Sequence, residues 1–82
     1  MAEEKLPISE ALKVLEAATL YKTERWWSAV ALVESFGRKQ IAVYLWNKRE
    51  GAWKRRQKFV VHNKTEWAQM REVIEKFAAN LP

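Results

Sequence analysis

The chain has two glycines, Gly37 and Gly51, and each stands between residues suited to extended structure. Arg25 to Phe36, Lys39 to Trp46 and Trp53 to Val61 are enriched in Trp, Val, Ile and Leu, the composition of strands. Gly37 separates the first run from the second. Asn47 to Gly51 separates the second from the third, and Gly51 can take the positive φ such a turn requires. Runs joined so closely can pair only antiparallel, because a parallel connection needs a crossover of a dozen residues or more.

The flanks read differently. From Pro7 to about Leu20, the residues Ile8, Leu12, Leu15 and Thr19 or Leu20 recur at 3–4 spacing, which predicts an amphipathic helix. Pro7 or Ser9 is suited to open it. At the other end, Asn63 followed by Glu66 is a capping pattern. Trp67, Met70, Ile74, Phe77 and Leu81 then form an apolar helical stripe. The expected fold is α+β: a small antiparallel sheet of three to four strands, with an N-terminal and a C-terminal helix on one face (α-β-β-β-α). The 82 residues make one domain, 1–82.

A chain of this length buries only about 60–65% of its unfolded surface. Without cysteine it has no disulfide or thiolate metal site to add stability. Three strands leave open edges, so a homodimer is expected. No apolar run approaches the roughly 20 residues of a membrane span. The start, MAEEKLP, lacks a signal-peptide core, and the expectation is a cytoplasmic, nucleoid-associated protein with no membrane partner. All ten acids are glutamate, a composition that hints at a thermophile.

The net charge of +5 is unevenly spread. Between Arg38 and Lys64 nine Lys and Arg residues face one acid, Glu50, while the remainder of the chain is acidic on balance. Solubility alone does not require such segregation. A basic segment of this kind suits an anionic partner.

A tight turn at Gly37–Arg38 places Leu32 opposite Val43, Val30 opposite Leu45, Ala31 opposite Tyr44 and Ala29 opposite Trp46. Pairing Asn47 with Gly51 places Tyr44 opposite Lys54, Ala42 opposite Arg56 and Gln40 opposite Lys58. One face then holds Trp26, Val30, Leu32, Ile41, Val43, Leu45, Phe59 and Val61 under the helices. The other is open and holds Trp27, Ala29, Ala31, Tyr44, Trp46, Lys54, Arg56 and Lys58. Aromatic rings beside alanines, with cations along one side, make a stacking platform for single-stranded nucleic acid. Arg55 and Gln57 fall on the covered face, which requires a bulge or an uncovered strand start. Trp53 and Trp67 are expected in the core or at an interface. His62 is expected to be structural.

Catalysis has little to stand on. The chain has one histidine and neither aspartate nor cysteine. Glu34 and Glu50 are expected near opposite ends of their strands. No metal or cofactor is implied.

Several short motifs fall in a familiar order: Ser35-Phe36-Gly37-Arg38-Lys39, Leu45-Trp46, Glu50-Gly51, Gln57-Lys58 and Asn63-Lys64-Thr65-Glu66-Trp67. In this order and spacing the stretch from Arg25 to Phe77 resembles the single-stranded-DNA-binding transcriptional coactivators of the positive-cofactor-four family. The resemblance implies a curved antiparallel sheet on a C-terminal helix, and homodimers joined through those helices. It also implies that Phe36 and Trp46 stack bases, while Lys39, Lys54 and Lys58 meet the backbone. The family begins with a strand where the pattern here gives a helix. In that respect the chain is more similar to archaeal single-stranded-DNA-binding proteins of the ThermoDBP type. The combined expectation is a non-catalytic, largely sequence-independent binder of single-stranded DNA. Its site is Trp27, Phe36, Arg38, Lys39, Tyr44, Trp46, Lys54, Arg56 and Lys58. A double-stranded-DNA chromatin protein and a protein-interaction module are the alternatives.

Overall fold

The structure is a computed structural model that describes residues 6–8 and 11–82. Four strands and one helix follow one another: β1 (Lys13–Lys22), β2 (Trp26–Ser35), β3 (Arg38–Arg49), β4 (Ala52–Val61) and α1 (Lys64–Ala78). The strands form a single antiparallel meander in the order β1-β2-β3-β4.

The N-terminal helix expected over Pro7 to Leu20 is not formed, which overturns the α-β-β-β-α order. Residues 13–22 are strand, while Ser9 and Glu10 lie outside the described residues. The cause is visible in the pairing of β1 with β2. Val14, Ala17, Thr19 and Lys22 lie opposite Val33, Ala31, Ala29 and Trp27. Irregularities between Val14 and Glu16 and between Thr19 and Tyr21 each add a residue to β1. Same-face spacing is thereby stretched from two residues to three, which imitates the helical period.

Both glycine-bearing turns are two-residue hairpins of the type I′ kind, with positive φ at each central residue. Phe36 and Gly37 have φ of 52° and 76°, and Glu50 and Gly51 have 52° and 80°. The turns therefore sit one residue before the expected Gly37–Arg38 and past Asn47. The pairing shifts accordingly. Val30 lies opposite Val43 and Ala31 opposite Ala42. Tyr44 lies opposite Lys58, and an irregularity after Leu45 sets Trp46 opposite Arg55. The β1–β2 turn uses Thr23 instead of glycine. Its Oγ1 accepts from the backbone N–H of Trp26 at 3.0 Å and of Arg25 at 3.3 Å.

Asn63 caps α1, and its side-chain oxygen accepts from the Glu66 N–H at 2.8 Å. The Glu66 carboxylate reaches back one residue further than a capping box, to the His62 N–H at 3.4 Å and the His62 ring Nδ1 at 3.3 Å. Asn63→Ala is expected to cost about 1 kcal/mol, read as a lowered urea midpoint, while Asn63→Ser restores it.

The two sheet faces are covered the opposite way from the sequence expectation. Trp27, Ala29, Ala31, Val33, Ala42, Tyr44 and Trp46 form the buried core, with Leu6 among them and Ile8, Leu12 and Trp53 packed against it. The four small alanine and valine positions let the large rings lie down on the sheet. Helix α1 buries none of its residues. Among the described residues, extensive contacts between elements join only neighbouring strands. The face bearing Trp26, Ile41 and Phe59 is only partly covered, with Val61 buried on it and Val30, Leu32, Val43 and Leu45 half-buried, while Trp67, Ile74 and Phe77 on the helix are exposed. No helix among the described residues is long and apolar enough to cross a membrane.

Candidate nucleic-acid interface

Strand alternation puts Trp27, Tyr44 and Trp46 on one face, and the hairpin registers bring them together. Trp27 and Trp46 pair directly across β2 and β3, with ring centroids 5.1 Å apart. Tyr44 and Trp46, two residues apart on β3, stack at 5.0 Å with planes 7° apart. Trp53 joins from β4, edge to face against Trp27 at 5.5 Å. Each such pair adds about 0.5–1.5 kcal/mol beyond burial. Trp27 Nε1–H donates to Thr19 Oγ1 at 3.1 Å.

Cations stand around this cluster. The Lys22 ammonium lies 4.0 Å from the Trp27 ring centroid. Lys48 lies 5.6 Å from the Trp53 ring, and Lys58 lies 5.6 Å from the Tyr44 ring. Burial pushes the Tyr44 phenol above its ordinary pKa, and the nearby Arg55 charge pulls the other way. Two polar atoms of the cluster, Tyr44 Oη and Trp46 Nε1, are buried without a hydrogen-bond partner. An unmet buried donor costs about 1–3 kcal/mol.

The expected site residues divide into three groups. Trp27, Tyr44 and Trp46 come together, but they are core: Trp27 and Tyr44 are 2% exposed and Trp46 is 1% exposed. They are not an open platform, and in the Trp26–Trp27 pair it is Trp26 that faces solvent. Lys58 borders the cluster as expected. Lys54 does not, since it pairs with Asn47 and so lies on the opposite face. Arg56 falls at the irregularity of β4, where Arg55 takes its place opposite Trp46. The anticipated bulge is therefore present, and it redistributes the basic side chains between the faces.

Phe36, Arg38 and Lys39 form the third group, at the β2–β3 turn. All three are exposed. Phe36 is 102% exposed, with nothing of its ring covered. It is also one of the two described non-glycine residues with positive φ.

Lys22, Lys48, Trp53 and Arg55 were not in the expected site. Lys48 and Trp53 were legible by period two, because Lys48 follows Trp46 on the same face and Trp53 lies opposite it. Lys22 belongs to the strand that reads as a helix. Trp67, expected in the core or at an interface, is exposed at the start of α1. It helps line an open cleft of about 320 Å³ with Leu32, Ile41 and Val61. Among the described residues no three His or Glu side chains are grouped to hold a metal ion. No family model, curated protein or solved structure matches the chain.

Proposed function

We propose that the protein binds unpaired nucleic-acid strands, DNA before RNA, with little sequence preference and without catalysis, in a nucleoid-associated role. The observation that carries this reading is Phe36. A phenylalanine in the left-handed region costs about 1–2 kcal/mol relative to glycine. Packing does not offset that cost here, because the ring touches solvent on every side. Such an arrangement suits a ring that acts on something outside the chain. Arg38 and Lys39 follow one residue later, after Gly37, so a base stacked on Phe36 has its phosphates near two cations. Lys58, Arg55 and Lys48 continue the positive surface along β3 and β4. Four antiparallel strands followed by a helix are also the order that the resemblance to the positive-cofactor-four family implies, including the leading strand.

The test separates affinity from stability. Phe36→Gly is expected to raise the melting temperature by a few degrees, since it relieves the turn. It is expected to weaken binding of an oligo-dT of about twenty nucleotides roughly 5- to 100-fold, the loss of one stacked base. Wild-type binding should also fall steeply with added salt and be weaker for a matched duplex. Equal binding to duplex and single strand, with Phe36→Gly indifferent, would point instead to a double-stranded-DNA protein. Absence of binding to either would leave the exposed surfaces to protein partners.

The reading includes a homodimer. Trp67, Val73, Ile74 and Phe77 on α1 are all exposed in the single chain, and Trp26, Ile41 and Phe59 are exposed on the partly covered sheet face. A second copy of the chain meets both needs at once, covering an apolar helix and an apolar sheet face with the same two elements.

A further inference from the structure

The aromatic core is closed by residues of this chain that belong to no strand or helix. Leu6 is buried in the cluster, and Ile8 and Leu12 pack against it. Residues 6–8 and 11–12 form neither element. The hydrogen bond from the Ile8 N–H to the Leu6 carbonyl, 2.7 Å, lies within the stretch itself. In the same cluster lie the Tyr44 hydroxyl and the Trp46 Nε1–H, buried and unpartnered. Aliphatic side chains cannot accept from either. A nucleobase can, because every base carries ring or carbonyl acceptors together with a flat face that stacks on aromatic rings. The cations for the flanking phosphates are present: Lys48 and Lys58 stand over rings of this cluster, and Arg55 lies across from Trp46.

We infer that Leu6, Ile8 and Leu12 occupy a nucleobase site built on Trp46 and Tyr44, and that an unpaired strand displaces them. The incoming base stacks on the Trp46–Tyr44 pair and accepts from Tyr44 Oη–H and Trp46 Nε1–H. This rests on the single-strand reading, whose base position at Trp46 the family resemblance already implies, and deepens it by naming what fills that position at rest. The closed state lowers the apparent affinity by the fraction of molecules that are open. Loosening the cover therefore strengthens binding although it removes no contact to the ligand.

The experiment compares the wild type with Leu6→Ser/Ile8→Ser and with Tyr44→Phe, all in the full chain. Tryptophan emission and acrylamide quenching are read first without nucleic acid. Oligo-dT of about twenty nucleotides is then titrated into each protein. The double variant is expected to shift its emission to the red and quench more readily. It is also expected to bind the oligonucleotide roughly three- to ten-fold more tightly. Tyr44→Phe is expected to keep the wild-type emission and bind about two- to ten-fold more weakly, having lost one hydrogen bond.

Unchanged emission in the double variant overturns the proposal, because the named residues are then not what closes the cluster. A red shift with no gain in affinity also overturns it, while binding by the wild type leaves the single-strand reading standing. Absence of binding by every protein removes both. If the double variant loses its far-ultraviolet dichroism, Tyr44→Phe decides, and wild-type affinity there overturns the proposal.

Discussion

Trp46→Ala is expected to remove a large part of the protein's stability, so that unfolding adds to the loss of nucleic-acid binding. Trp46 is 1% exposed. It touches Trp27 at 5.1 Å and Tyr44 at 5.0 Å between ring centroids. Truncating a buried tryptophan to alanine costs about 3–5 kcal/mol. An 82-residue domain holds only about 4–12 kcal/mol in total. The unpartnered indole N–H offsets part of the loss, since its desolvation penalty disappears with the side chain. Trp46→Phe isolates that part: it keeps a ring on the alanine floor and deletes the orphan donor. The expected order of urea midpoints is wild type close to Trp46→Phe, with Trp46→Ala far below. If Trp46→Ala melted with the wild type, the rings would be a surface platform, as the alternation alone suggests, and the covered core described above would be wrong.

That contrast shows what the sequence can and cannot carry. Period two correctly groups Trp27, Ala29, Ala31, Tyr44 and Trp46 on one face, because alternation is a property of each strand by itself. Which face is covered is not local. It depends on Leu6, Ile8 and Leu12, which lie more than thirty residues before Tyr44 and Trp46 on β3, and on where α1 comes to rest. The segment Lys13–Lys22 fails for a different reason: two bulges lengthen its same-face spacing to three, and the strand imitates a helix. On β4 the irregularity beside Leu45 and Trp46 exchanges Arg55 for Arg56 against the rings. A single inserted residue reassigns every side chain beyond it. By contrast, the Asn63 cap, the α1 stripe and the glycine turns are specified within four residues of sequence. The cap appears where the pattern puts it and the stripe does so as far as Phe77, with Leu81 beyond the helix; the first turn moves by one residue so that Phe36 occupies it, and the second narrows to Glu50–Gly51.

The largest change in assembly is expected from Ile74→Glu combined with Phe77→Glu. In the single chain both side chains are mostly in water, at 57% and 65% exposed. If the protein acts alone, the double substitution changes stability by no more than about 0.5 kcal/mol per site and improves solubility. If a second copy covers the helix, each dimer must bury four glutamates in an apolar seam. Even with their pKa values rising to neutralise them, the cost reaches several kcal/mol. Sedimentation of the wild type is then expected at twice the 9.7 kDa chain mass, with a melting temperature that rises with protein concentration. The variant is expected at the monomer mass, with a lower and concentration-independent melting temperature. Binding supplies a second readout. Two basic sheets joined in one particle hold a long strand at a raised effective concentration, so wild-type affinity should climb with oligonucleotide length beyond a single site. The variant should lose that climb while retaining its affinity for a short strand, because Phe36, Arg38 and Lys39 lie on the β2–β3 turn and not on the helix. Identical sedimentation of the two proteins would leave the apolar helix without a partner copy and assign it to a different protein.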